Sequence, residues 1–222
     1  GLRYIIDDKA ENGVNQEPMI AALACGSVVD ESWSARSANV DFFDVKGDLE
    51  TLLSQTGKLS AFDFKPTSEK FLHPGQGADI FLDGEKVGVI GMLHPLALKA
   101  LGFKIPVGVF EIKRSCIAVR KVPSYIPISK FPSVRRDLAF VVDKTVKASD
   151  LCKLIKEVGG SLVSDIVIFD VFSDASLGDK HSIAVGIIAS DPTRTLEDQD
   201  TDALIDKIVS KAFESFGATL RS

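Results

Sequence analysis

Few residues in this chain have types and spacings that could do covalent chemistry. Gly75-Gln76-Gly77 has two glycines of a phosphate-cradling loop but not the third glycine of G-x-G-x-x-G. It also precedes an expected strand, whereas a dinucleotide fingerprint follows one. Gly57-Lys58 has no glycine five residues upstream and so makes no phosphate loop. Asp44 and Asp48 stand four apart, on one face near a helix start, where two acids favour the helix dipole more often than they make an acid/base pair. Cys25, Cys116 and Cys152 are scattered and form no C-x-x-C pair, so they read as buried small hydrophobes in a reducing compartment. His73, His94 and His181 show no ligand spacing either. The expectation is no catalytic residue and no metal site.

Residues suited to recognition are better represented. Within Ile168-Phe169-Asp170-Val171-Phe172, the two aromatics stand at opposite strand parity, so one of them is expected away from the core. An exposed ring beside a carboxylate suits single-stranded RNA, because bases stack on rings and acids accept from base amino groups. The alternative is a hydrophobic strand packed on a partner domain. Charge is segregated as well: residues 120–147 hold seven basic side chains against two acids, and residues 191–206 hold six acids against Arg194. A local basic stretch can hold phosphates although the net charge is −5; it can equally be a solvated linker.

The elements that position these residues fall into two halves. With 222 residues, 45 % hydrophobic and 26 % charged, the chain has the composition of one large or two modest globular domains. It has neither an apolar run long enough to span a membrane nor a signal-type start. Pro123, Pro127 and Pro132 mark a linker at residues 119–129, separating 1–118 from 130–222.

In the second half, residues 137–142 predict a strand, and Leu151, Leu154, Ile155 and Val158 a helix stopped by Gly159-Gly160. Two β-branched runs follow at 161–172 and 182–190, joined by a polar loop. A helix along Leu204, Ile205, Ile208, Val209, Ala212, Phe213 and Phe216 comes next, with Thr195 and Asp198 as its capping box, and residues 218–221 close the sheet. The order βαββαβ is ferredoxin-like and leaves one sheet face free. The first half predicts strands at 19–29 and 107–112, a helix that begins over 48–53 and is ended by Gly57, and a hairpin over 79–91 turning at Asp83-Gly84. The fold class is α+β, with an antiparallel first domain.

Seven runs resemble one family, in register. FPSVRRDLAFVVD at 131–143, the strand ending at Phe172, DPTRTL at 191–196 and FGATLR at 216–221 resemble the ferredoxin-fold anticodon-binding domain that closes the beta subunit of bacterial phenylalanyl-tRNA synthetases. VDFFDVKGDLE at 40–50, FLHPG at 71–75 and GVIGMLHP at 88–95 resemble the end of the same subunit's non-catalytic synthetase-like domain. The resemblance implies a C-terminal fragment of that subunit, cytoplasmic, working beside an alpha subunit in an (αβ)₂ heterotetramer that joins phenylalanine to its tRNA with ATP and Mg²⁺. Catalysis would lie in the alpha subunit, and no cofactor in this fragment.

Carried over residue by residue, the resemblance implies anticodon contacts at Asp170, Phe172 and Ser182, with Arg136 as the family's arginine before the first strand. Arg135 beside it is a further candidate for holding phosphates. The family aromatic is often Tyr, so Phe172 keeps the stack without the hydroxyl. A regulatory ACT-like amino-acid-binding module shares the βαββαβ order. Its glycine-rich ligand loop would fall at 143–149, which here reads DKTVKAS. A purely structural scaffold remains open for residues 1–118.

Overall fold

The computed structural model describes residues 1–10, 12–118, 120–125 and 127–221. The chain forms two compact units, Gly1–Tyr125 and Ile126–Ser222. The expected linker 119–129 includes Val119 and Ile126, which lie outside the described residues. Arg120 and Lys121, also inside that range, bond back to the first unit: Arg120 Nε donates to the Gln55 carbonyl at 3.2 Å and the Lys121 amide to the Thr56 carbonyl at 2.8 Å.

The first unit is an antiparallel six-stranded sheet in the order β1-β2-β6-β5-β4-β3. Its strands are β1 (Leu2–Ile6), β2 (Val14–Cys25), β3 (Phe62–Pro66), β4 (Leu72–Leu82), β5 (Glu85–Leu93) and β6 (Val107–Lys113). Helix α1 (Phe42–Ser54) packs on one face because Val45, Leu49 and Leu53 recur every four residues and are buried against Ile80, Ile90, Phe110 and Ile112. It begins earlier than its hydrophobic run suggests. Asp41 caps it by accepting from the Phe43 and Asp44 amides, and the Asp44 carboxylate accepts in turn from the Asp41 amide. Asp44 is therefore a capping group rather than half of an acid/base pair.

The β4–β5 hairpin turns where expected, with Asp83 at φ 49° and Gly84 at φ 85°, the left-handed pair of a type I′ turn. The Gly75-Gln76-Gly77 run lies inside β4, beside a register shift, and not in a loop. Two short helices, α2 (Pro95–Leu101) and α3 (Ser115–Ala118), complete the unit. Cys116 is buried and Cys152 half-buried, as hydrophobes should be, but Cys25 is exposed at the end of β2, contrary to expectation.

The second unit carries β7 (Val134–Asp143), α4 (Ala148–Gly159), β8 (Val163–Phe172), β9 (Lys180–Ala189), α5 (Asp198–Phe216) and β10 (Thr219–Leu220). All pairings are antiparallel, in the order β10-β7-β9-β8, the ferredoxin-like arrangement. Strict alternation divides the sheet's residues. Phe140, Val142, Ile183, Val185, Ile187 and Ala189 face α4 and α5, meeting Leu151, Leu154, Ile155, Leu204, Ile208 and Ala212. Phe213, expected on that stripe, is exposed. The capping box of α5 also differs: it joins Glu197 to Asp200 rather than Thr195 to Asp198. Arg194 explains the shift. It grips Asp200 through two hydrogen bonds of 2.6 and 2.8 Å, while Asp200 also accepts from the Glu197 amide, so the helix starts where that carboxylate is held.

Candidate nucleic-acid interface

Among the described residues, no helix packs on the second face of this sheet. The residues lying on it follow from the register. Arg135, Asp137, Ala139 and Val141 of β7 face the same side as Ser182, Ala184, Gly186 and Ile188 of β9. On β8, Asp170 pairs with Ala184 and Phe172 with Ser182, so both belong to this face. Asp165 and Val167 stand opposite Ile188 and Gly186 and complete the row.

Four of the five expected contact residues are thus brought together: Asp170, Phe172, Ser182 and Arg135. Arg136 is not among them. It points to the helix side, opposite Ile187, where its Nη2 donates to Asp198 Oδ1 at 3.0 Å and to Thr201 Oγ1 at 3.3 Å. Adjacent strand residues cannot share a face, so only one arginine of the pair reaches this surface. Arg136 instead ties β7 to the start of α5 through its ion pair with Asp198.

Phe169 corrects the parity argument. A register shift between Ile168 and Asp170 leaves Phe169 without a register partner in the β8–β9 ladder. Such a bulge re-aims a side chain. Its ring lies 5.4 Å from the guanidinium carbon of Arg135, a residue of the helix-free face. Both aromatics, half or more than a third exposed, therefore attend the same surface. A second shift between Val163 and Asp165 bends the start of the same strand.

The floor between the strands is made of small side chains, yet it is covered. Ser182 is 3 % exposed and Ala184 8 %, although no described helix lies above them. Two arginines lie across this face, Arg135 at Gly186 and Arg221 at Phe172. A Cβ added to Gly186 would meet the Arg135 guanidinium at 2.8–3.0 Å, so that group lies directly on the Gly186 backbone. Arg135 Nε also donates to Asp137 Oδ1 at 2.7 Å, which fixes it there.

At the other end, the Arg221 amide bonds the Ala139 carbonyl at 2.8 Å, prolonging β10. Its guanidinium carbon stands 4.5 Å from the Phe172 ring centroid. Strands β10 and β8 are the two edges, three spacings or about 14 Å apart. The two side chains must therefore arch toward each other over β7 and β9. Sequence reasoning missed Arg221, because its approach to Phe172 depends on the register of a two-residue strand.

In the loop after β8, the Asp174 carboxyl is held below the ordinary carboxylate range. The cause is chiefly the Ser176 amide and hydroxyl, with a smaller contribution from the Arg221 charge.

A four-stranded antiparallel sheet in βαββαβ order, with one helix-free face bearing aromatics, a carboxylate and arginines, defines a ferredoxin-like domain. Residues 129–221 match the family model described as the ferredoxin-fold anticodon binding domain, and residues 1–114 match the phenylalanyl tRNA synthetase beta chain CLM domain. Curated relatives include phenylalanine–tRNA ligase beta subunits of Idiomarina loihiensis, Vibrio cholerae and Pseudoalteromonas translucida, 43 %, 42 % and 41 % identical over the whole chain. The chain belongs to the phenylalanine–tRNA ligase beta subunit family. It spans 28 % of the length of those relatives.

Proposed function

We propose that the second unit reads the anticodon of phenylalanine tRNA on its helix-free face, as the tRNA-binding part of a phenylalanine–tRNA ligase beta subunit. The observation that carries this reading is the meeting of Asp170, Phe172 and Ser182 at adjacent strand ends. The Phe172 ring offers a stacking surface. Asp170 offers a carboxylate to the two donors on the Watson–Crick edge of guanine, the first base of the phenylalanine anticodon. Ser182 offers a hydroxyl that donates or accepts. Arg135 supplies positive charge for the backbone.

In this reading the ligase is cytoplasmic, and an alpha subunit, in an (αβ)₂ assembly, holds phenylalanine, ATP and Mg²⁺ and forms the ester. The residues present here do not fit those cofactors. Among the described residues no three His, Cys, Asp or Glu side chains converge, and the Gly75–Gly77 segment is strand. No step of ATP chemistry is therefore assigned to them.

The first unit serves as the synthetase-like scaffold against which the alpha subunit rests. Supporting this is the sheet face opposite α1, where Ala21, Leu23, Phe71, Val89, Leu93 and Val109 line an apolar groove, with Leu23 and Phe71 exposed. Among the described residues, no helix is long and apolar enough to cross a membrane.

Titration of the chain with anticodon stem-loops tests the proposal. Binding that weakens when the first anticodon base is substituted is expected; equal binding of any loop sequence overturns it.

A further inference from the structure

We propose that Arg221 is a positioning residue for Phe172. In the free protein its guanidinium holds the ring arched over Ser182; when RNA binds, it leaves the ring for a phosphate and a base takes its place. This rests on the anticodon-reading proposal and adds a conformational step to it.

Three observations support the step. Ser182 is almost wholly buried on a face that no described helix covers, so a base cannot reach its hydroxyl until something above it moves. The arch is built of two side chains from opposite sheet edges, joined by a stack with the guanidinium carbon 4.5 Å from the ring centroid. Such contacts are weak at exposed sites and are lost easily to a stronger anion. The two arginines of the face also differ. Arg135 is ion-paired with Asp137 and pressed onto Gly186, whereas among the described residues no carboxylate forms an ion pair with Arg221. Asp174 feels the Arg221 charge as a minor influence, with no ion pair between the two among the described residues. A cation with no ion pair among the described residues, parked on a ring, is the group most readily transferred to a phosphate.

The test uses the 222-residue chain with Arg221→Met and Arg221→Lys, titrated against the phenylalanine anticodon stem-loop at several salt concentrations. Arg221→Met should weaken correct and base-substituted loops alike, by roughly threefold, and should lower the log–log salt slope by about 0.7, the share of one phosphate on a single strand. Arg221→Lys should keep the slope.

A second measurement needs no RNA. In a Ser182→Cys variant the new thiol should be labelled slowly, and faster once Arg221→Met is added. An unchanged slope in Arg221→Met, or labelling that ignores residue 221, overturns the proposal. If the parent binds no stem-loop, the anticodon reading falls and takes the phosphate step with it, while the labelling result still reports whether the arch exists.

Discussion

Phe172 and Ser182 are register partners on neighbouring strands of one sheet face, yet the ring is 38 % exposed and the serine 3 %. Removing the ring deletes a stacking platform beside the serine. Phe172→Ala is expected to cost about 1–3 kcal/mol of stem-loop binding, the loss of one stacked base. Asp170→Asn should cost less but relax discrimination at the first anticodon base, because the amide keeps one acceptor and adds a competing donor. Titration with correct and substituted loops measures both, and parental binding with intact discrimination in both variants would contradict the assignment.

The Arg194–Asp200 pair gives a pH prediction. Asp200 is lowered to about 2 by the Arg194 guanidinium first and the Glu197 amide second. Its unfolded value is about 3.9. The depressed folded value means that the pair's stabilisation is complete above roughly pH 4 and disappears as pH falls through about 2. Parent and Asp200→Asn should differ most in Tm near neutrality and converge toward pH 2. A gap that persists unchanged at pH 2 would contradict this.

Two glycines separate a hard clash from a soft one. A Cβ on Gly88 would meet the Glu111 carbonyl oxygen at 2.3 Å and Ile112 Cα at 2.9 Å, both backbone atoms of the paired strand. Gly88→Ala should destabilise the first unit by about 1–3 kcal/mol. On Gly186 the obstacle is the far end of the long Arg135 side chain rather than backbone, so Gly186→Ala should melt close to the parent. Its effect should appear instead as displaced Phe169 ring signals in the NMR spectrum. Equal destabilisation of both variants would refute the distinction.

Thiol reactivity should separate the cysteines. Burial pushes the Cys116 and Cys152 thiols above the ordinary value, whereas Cys25 is exposed. Native protein should take up one equivalent of an aromatic disulfide reagent rapidly, with two slow ones following, and Cys25→Ser should abolish the fast phase.

The second unit was readable from the chain because its signals agree. The hydrophobic period changes from two to about four and back, and glycines stand at Gly160 and Gly217 where the helices stop. The first unit gave less. Strands β1 and β3 were missed, and so was α2, despite the cap–proline–glycine pattern of His94, Pro95 and Gly102. The site was half readable. Asp170 and Phe172 at i, i+2 survive as neighbours because the register shift falls just before them. That same shift spoiled the parity argument for Phe169, since a one-residue bulge leaves no mark in amino-acid type. The burial of Ser182 leaves no mark in the sequence, because it depends on contacts made only after folding.

The two irregularities of β8 have a consequence for assembly. β8 is an outer strand of its sheet, and it exposes Val167, Ile168, Phe169 and Val171. Such a margin would ordinarily recruit the matching strand of a second molecule and grow into aggregates. The shifts at Val163/Asp165 and Ile168/Asp170 interrupt the even ladder that recruitment needs. Deleting Phe169 would remove the second shift and regularise that end of the strand. The same kinks that aim a ring at the open face thus also keep a sticky border from templating its own copies.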